Sequence, residues 1–156
     1  MHPKFAEAVE RLHPSFVSLV SMAPHTAGSL PREMPKSGVY LFSEGANHLY
    51  VGRSRNMRNR YGLHTRRSAP HNQASFAFLL AKEALGIEGA SYKSDHLSRQ
   101  GLSSCAEFIE AFVEAKTRVR KMDFRFVEEV DNTRQALLEI YCSVALGTPY
   151  NDFRTH

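Results

Sequence analysis

The stretch GVYLFSEGANHLYVGRSRNMRNRYGLHTRR, residues 38–67, contains two β-rich runs followed by a strongly basic segment. The runs cover 37–43 (SGVYLFS) and 48–53 (HLYVGR), and the four residues between them, EGAN, include the glycine and asparagine that suit a tight turn. The sequence therefore predicts a β-hairpin that leads into a helix.

Helical and strand patterns continue on both sides of this hairpin. A helix capped by Ser54 or Asn56 is expected to run to about residue 62, and an alternating strand is expected at 122–130. Further helices are predicted at 3–22, at 73–85, at 104–121, and from Asn132 or Thr133 to about 146. Pro14 would kink the first of these or open its second half, and Ser104 would cap the helix at 104–121. A surface connector is expected at 23–35 and a long surface loop at 87–103.

This order predicts a compact α+β fold. The interpretation divides the chain into an N-terminal helical extension with its connector, residues 1–35, and a main domain, residues 36–156. No internal repeat or low-complexity segment interrupts the pattern.

Composition restricts the class of protein. The 156 residues carry a net charge of +4, and 42% of them are hydrophobic, which excludes a wholly disordered chain. Cys105 and Cys142 lack the spacing of a zinc or redox pair. Because no long apolar run or signal peptide is evident, we expect a cytoplasmic protein with no membrane association.

The positive charge is concentrated in residues 52–67, which contain no acid. Six arginines occur within these sixteen residues: Arg53, Arg55, Arg58, Arg60, Arg66 and Arg67. A solvated surface helix and a phosphate-binding face both account for such a run, and the sequence leaves both open.

Four single positions invite a chemical interpretation beside a structural one. Antiparallel pairing would bring Tyr40 and Tyr50 close together, although strand tyrosines usually pack. Arg60 and His64 would share a helix face, where an arginine fork grips phosphate and a histidine passes a proton, unless they are only a surface arginine and a hydrogen-bonded histidine.

Glu139 interrupts an apolar run in the last helix. A buried carboxylate is costly unless it is paired or binds a cation, so a hard divalent ion and a salt bridge to Arg134 or Arg60 are both reasonable. Asn151 follows the helix stop at Gly147, where the chain can fold back, although a simple turn asparagine would look the same.

In order and spacing, Gly38-Val39-Tyr40, Tyr50-Val51-Gly52, Arg60, His64, Glu139 and Asn151 together resemble the GIY-YIG nuclease family. The resemblance covers residues 36 to the C-terminus, and valine replaces isoleucine in both triplets. It implies a small domain with a central three-stranded antiparallel sheet flanked by helices. It also implies DNA as the partner and a metal-dependent endonuclease that uses one Mg²⁺ or Mn²⁺ ion to hydrolyse a phosphodiester, leaving a 5′-phosphate.

The resemblance also implies a role for each site residue. Tyr40 would activate or orient the attacking water, and His64 would accept the tyrosine proton, since a free tyrosine has a pKa near 10. Tyr50 would contact phosphate or water, and Arg60 would neutralise transition-state charge. Glu139 would bind the metal and Asn151 would support the metal or the phosphate. The remaining basic residues are expected to contact substrate: Arg53, Arg55, Arg58, Arg66 and Arg67.

Two other interpretations remain open. The chain could be a catalytically inactive GIY-YIG-like module that only binds nucleic acid, or a structural α+β protein whose tyrosines and Glu139 serve packing and ion pairing. Oligomeric state and DNA specificity are not predicted by the sequence.

Overall fold

The computed structural model describes residues 1–70, 73–87, 101 and 105–153. Its elements follow in the order α1 (Pro3–Glu10), α2 (Leu12–Ser21), β1 (Gly38–Glu44), β2 (Asn47–Ser54), α3 (Met57–Thr65), α4 (Ser75–Ala84), α5 (Ala106–Arg120), β3 (Asp123–Glu128) and α6 (Asn132–Leu146). The predicted α+β class and all three predicted strands are confirmed. The chain forms two compact units, one of residues 1–60 with 122–156 and one of residues 61–121.

In the first unit, three antiparallel strands form a sheet in the order β2-β1-β3. The central strand β1 is buried along most of its length because neighbours cover both its edges and both its faces. A positive φ at Gly45 closes the predicted hairpin turn. The pairing register shifts between Phe42 and Ser43.

The two faces of the sheet have different cores. Val39, Leu41 and Val51 pack with Leu12 and Leu19 of α2 and with Leu138 and Cys142 of α6 in one aliphatic cluster. Alternation along the strands directs Tyr40, Phe42, Phe124 and Phe126 to the opposite face, where their rings contact one another. The aliphatic face therefore holds α6, which carries Glu139, against the sheet.

The N-terminal extension is part of this first unit. It forms two helices that are separated at Arg11. Pro14, which was expected to kink or open the element, lies in the first turn of α2, where a missing N–H leaves no helical bond unmade. In the connector, His25 exchanges two backbone hydrogen bonds with Phe124 of β3, at 2.8 and 2.7 Å. This pairing covers part of the edge of β3.

The start of α6 and the end of α3 differ from the sequence predictions, whereas Asn56 caps α3 as one of the two predicted candidates. Asp131, rather than Asn132 or Thr133, caps α6 by accepting a hydrogen bond from the Arg134 amide at 2.8 Å. Asn56 Oδ1 accepts from the Asn59 amide, and α3 continues to Thr65, three residues beyond the predicted end. Gly147, with a φ of 62°, ends α6 as predicted.

In the second unit, α4 packs against α5. The rings of Phe78 and Phe108 lie 5.1 Å apart, and the buried Lys116 amine donates to the backbone carbonyls of Arg67 and Ala69. Burial lowers the pKa of Lys116. Most of the predicted loop 87–103, and Ser104 as the cap of α5, lie outside the described residues.

None of the helices among the described residues is both long and apolar enough to span a membrane.

Candidate active site

Tyr40 and Tyr50 lie side by side on one face of the hairpin. Tyr40 pairs with Gly52 and Phe42 pairs with Tyr50, so the two tyrosines are diagonal neighbours, with ring centroids 6.4 Å apart and a hydrogen bond between their side chains. Burial raises the pKa of Tyr40 well above its ordinary value. Tyr50 and Glu139 raise the pKa further, and the Arg60 guanidinium opposes the rise. Tyr40 is therefore a neutral phenol at neutral pH.

Gly52 makes room for the Tyr40 ring. A Cβ atom at residue 52 would overlap the Tyr40 hydroxyl group and ring, and the ring is only 3% exposed. Gly52 lies within strand β2 and lacks a positive φ, so no turn requires glycine here. The close approach is made by a side chain of the same site.

Gly52→Ala is expected to destabilise the fold by about 1–3 kcal/mol, the usual cost of overpacking a well-filled site, and to displace Tyr40. The free energy of unfolding in urea measures the loss. Gly28→Ala is the control, because the space around Gly28 is open. Equal stabilities of the two variants would contradict the tight contact.

Glu139 meets the sheet from α6. Its Oε2 atom accepts a hydrogen bond from Arg53 Nε at 2.9 Å in an ion pair whose side chains are 20% and 47% exposed, respectively. Burial raises the pKa of Glu139, while the charge and the hydrogen bond of Arg53 lower it. The salt bridge to Arg134 or Arg60 considered from the sequence is instead made to Arg53, and Arg134 pairs with Glu129 at 3.0 Å.

The tyrosines and the ion pair lie on opposite faces of β2. Tyr40 pairs with Gly52 and Val39 pairs with Arg53, so strand alternation places Arg53 on the face opposite Tyr40. Glu139 and Arg60 both act electrostatically on the Tyr40 hydroxyl group. Tyr50, Arg60 and Glu139 therefore all influence the Tyr40 hydroxyl group, and Arg53 is bonded to Glu139.

An open cleft of about 490 Å³ lies beside this group. We call it the arginine cleft; it is lined by Arg53, Ser54, Arg55, Asn56, Asn59 and Arg60. It contains three guanidinium groups and no carboxylate among its lining residues. Such a surface attracts anions and offers forked donors to phosphate oxygens.

The asparagines and the serine of the arginine cleft were missed by the sequence prediction as lining residues. Ser54 Oγ accepts from the Asn56 amide at 2.9 Å, and the Asn56 side chain caps α3. The run RSRNMRNR could have predicted these lining residues, because serine and asparagine alternate with arginine there. A helix cap and the first turn of a basic helix lie side by side in this run, and helix starts favour anions.

Asn151 is held against the free edge of β2. Its Oδ1 accepts from the Val51 amide at 2.8 Å and from the Thr148 hydroxyl at 2.8 Å, while its Nδ2 donates to the Val51 carbonyl at 2.7 Å. The Tyr150 amide also donates to the Leu49 carbonyl. The carboxamide therefore closes the strand edge next to Gly52 and fixes the backbone between Tyr50 and Arg53.

Asn151→Ala is expected to reduce the free energy of unfolding by about 2–3 kcal/mol, because three hydrogen bonds worth about 1 kcal/mol each are lost. Chemical denaturation measures this loss. Asn132→Ala, at an exposed amide at the start of α6, is the control and should change stability by no more than about 0.5 kcal/mol. A neutral Asn151→Ala would contradict the bracing role.

The other predicted substrate-binding arginines are distributed differently. Arg55 lines the cleft, whereas the Arg58 guanidinium donates to the connector carbonyls of Pro31 and Arg32. His64, Arg66 and Arg67 belong to the second unit, where His64 is buried on α3 and the two arginines are exposed.

Glu139 fits a metal site in which the protein supplies few ligands. Within residues 1–70, 73–87, 101 and 105–153, no three His, Cys, Asp or Glu side chains cluster as a metal cage would require. A single carboxylate instead suits a hard divalent ion that keeps most of its waters, and a cation would also offset the cost of burying Glu139.

Comparisons of the chain with protein-family models, with curated proteins and with solved structures found no match.

Proposed function

We propose that this protein is a metal-dependent DNA endonuclease that hydrolyses phosphodiester bonds at a GIY-YIG-type, single-metal site. The observation that carries the proposal is the position of the Glu139 carboxylate. Its charge acts on the hydroxyl group of the buried Tyr40, and it pairs with Arg53, which lines a cleft whose charged lining groups are arginines. An acid can hold one hard cation and guanidinium groups can stabilise phosphate charge, and both serve phosphodiester hydrolysis.

The arginine cleft would bind the DNA backbone. Arg60 lines the cleft and its charge acts on the Tyr40 hydroxyl group, so its guanidinium would stabilise negative charge that develops on a phosphate bound there. Arg55 would add affinity without sequence preference, because phosphate contacts position DNA but do not read its bases.

Glu139 would hold a Mg²⁺ or Mn²⁺ ion, which supplies Lewis-acid stabilisation of phosphate charge when it is bound. Tyr40 would orient the attacking water through its hydroxyl group, and Tyr50 holds that hydroxyl in place by a hydrogen bond. The water oxygen forms the new bond to phosphorus, and the bond from phosphorus to the 3′ oxygen breaks, which leaves a 5′-phosphate.

The water must also lose a proton. The raised pKa of Tyr40 disfavours the phenolate, so the tyrosine needs a partner that accepts the proton. By the resemblance alone, His64 would accept the proton from Tyr40.

A nucleic-acid-binding module without activity is the alternative, and one observation favours it. Arg53 already neutralises Glu139, which would leave the carboxylate in use as a structural partner and the other arginines available for phosphate. The two functions share DNA as the partner but differ in the fate of the phosphodiester bond.

Supercoiled plasmid incubated with the full chain separates the two. If the protein is an endonuclease, we expect it to convert the plasmid to nicked or linear DNA with Mg²⁺ or Mn²⁺ and to leave it intact with EDTA. The new ends should carry 5′-phosphates that a ligase can join. Retarded but intact plasmid with either cation would support the binding module instead. Branched and single-stranded substrates then define which DNA is preferred.

A further inference from the structure

We propose that Arg53 is a displaceable counter-ion of Glu139: it holds the carboxylate in the cation-free protein, and a divalent cation at Glu139 frees its guanidinium for a DNA phosphate. The inference rests on the proposed function and deepens it. It concerns an ion pair that links the two halves of the site, because Arg53 both contacts Glu139 and lines the arginine cleft.

The pair has the properties of a replaceable contact. Arg53 Nε lies 2.9 Å from Glu139 Oε2, and no further hydrogen bond of the Arg53 guanidinium is seen within the described part of the chain. The Arg53 side chain is 47% exposed, so it can move into solvent without disturbing the core. Glu139 is the more buried member, so the loss of Arg53 without a replacement cation would leave a carboxylate poorly solvated.

Charge balance gives the direction of the switch. Without a cation, Arg53 and Glu139 neutralise each other, and that pair adds little to the attraction of DNA. A divalent ion at Glu139 would leave the ion, the carboxylate and the released guanidinium with two net positive charges beside the arginine cleft. Phosphate and cation would thereby favour the same arrangement, and each would strengthen the binding of the other.

The strand geometry supplies a short path for the movement. Arg53 is near the end of β2 and directly precedes the other lining residues of the cleft, so its side chain needs only a rotamer change to turn from α6 toward the cleft. The two hydrogen bonds of Asn151 to Val51 hold β2 in place, so we expect the Arg53 side chain to turn while the strand backbone stays where it is.

Binding of Mn²⁺ alone, measured on the full chain without DNA by the paramagnetic resonance of free Mn²⁺, tests the displacement. Arg53→Gln should tighten Mn²⁺ binding by about fivefold, the scale on which partly exposed ion pairs compete. Arg55→Gln removes the same charge from the same cleft but breaks no bond to Glu139, so it should tighten binding by no more than about twofold. Glu139→Gln should abolish this binding in either background.

Equal effects of Arg53→Gln and Arg55→Gln would reduce the result to general charge repulsion and overturn the proposal. Unchanged Mn²⁺ binding in Glu139→Gln, or no binding by the parent protein, would overturn it as well. Thermal unfolding of Arg55→Gln should match the parent within a few degrees, because Arg55 is exposed. Arg53→Gln should unfold at a lower temperature than the parent when no cation is present, because it leaves the Glu139 carboxylate without its counter-ion.

A short DNA duplex tests the second half of the switch. Arg53→Gln should weaken duplex binding at least about threefold more in Ca²⁺ than in EDTA, because the parent guanidinium is free for phosphate only when a cation holds Glu139. An equal loss in both conditions would overturn the release of Arg53. These measurements are independent of cleavage, so a parent protein that shows them but fails to nick plasmid would refute the endonuclease and leave the counter-ion switch standing.

Discussion

Glu139→Ala is expected to abolish Mg²⁺-dependent cleavage while DNA binding is retained. Glu139 is the carboxylate whose charge acts on Tyr40 and which is bonded to Arg53, so its removal takes away the acidic ligand that the proposal gives to the cation. The loss of a cation that supplies about 4 kcal/mol of charge stabilisation corresponds to a rate about 10³-fold lower. DNA affinity should hold or rise, because removal of an acid reduces repulsion of phosphate.

The measurement is the single-turnover nicking rate of supercoiled plasmid, beside the affinity of the same protein for a duplex in EDTA. Glu7→Ala is the matched control. Glu7 is also the acid of an arginine ion pair, with Arg11 at 3.1 Å, but it lies on the exposed surface of α1. Normal nicking by Glu139→Ala would remove Glu139 from the site, and a loss of DNA binding in parallel with cleavage would point to misfolding.

The β-rich runs and the turn between them predicted the hairpin, but not the register that brings its tyrosines together. Continued from the turn pairs Glu44–Asn47 and Ser43–His48, the pairing would set Tyr40 opposite Val51 and leave Tyr50 on the other face. The register shift between Phe42 and Ser43 instead sets Tyr40 opposite Gly52 and brings both tyrosines to the same face. The convergence of the two tyrosines therefore depends on an irregularity that the sequence pattern did not predict.

The partner of Glu139 could not be predicted in the same way. Arg53 and Glu139 are 86 residues apart, and the sequence offered Arg134 and Arg60 as nearer or equally basic candidates. The choice depends on how α6 packs over the aliphatic face of the sheet, which is set by Leu138 and Cys142 rather than by any charged residue. Long-range packing thus decides which of several equivalent arginines reaches the acid.

The arginine run illustrates the same limit. The six arginines between residues 52 and 67 form one basic segment in the sequence, but in the structure they have different contacts. Arg53 pairs with Glu139, Arg58 bonds to the connector, and Arg55 and Arg60 line the cleft. A net positive charge can indicate an anionic partner, but only the fold shows which groups remain available to bind it.

Arg60→Ala is expected to lower the cleavage rate by about 10²-fold or more, the usual cost of removing one preorganised group that stabilises transition-state charge. Arg60 is the guanidinium of the cleft whose charge acts on the Tyr40 hydroxyl group, so it lies where the attacking water and the phosphate would meet. The loss should appear in the single-turnover rate at saturating DNA, because a general phosphate contact would change affinity instead.

Arg60→Lys sharpens this test. Lysine keeps the positive charge but lacks the planar fork, so we expect only a partial recovery of the rate if two phosphate oxygens must be gripped at once. Arg11→Ala, which removes an exposed guanidinium from α1, is the control for charge and should leave the rate unchanged. An Arg60→Ala rate within about threefold of the parent would contradict the role, because so small a change is within the range of ordinary surface charge effects.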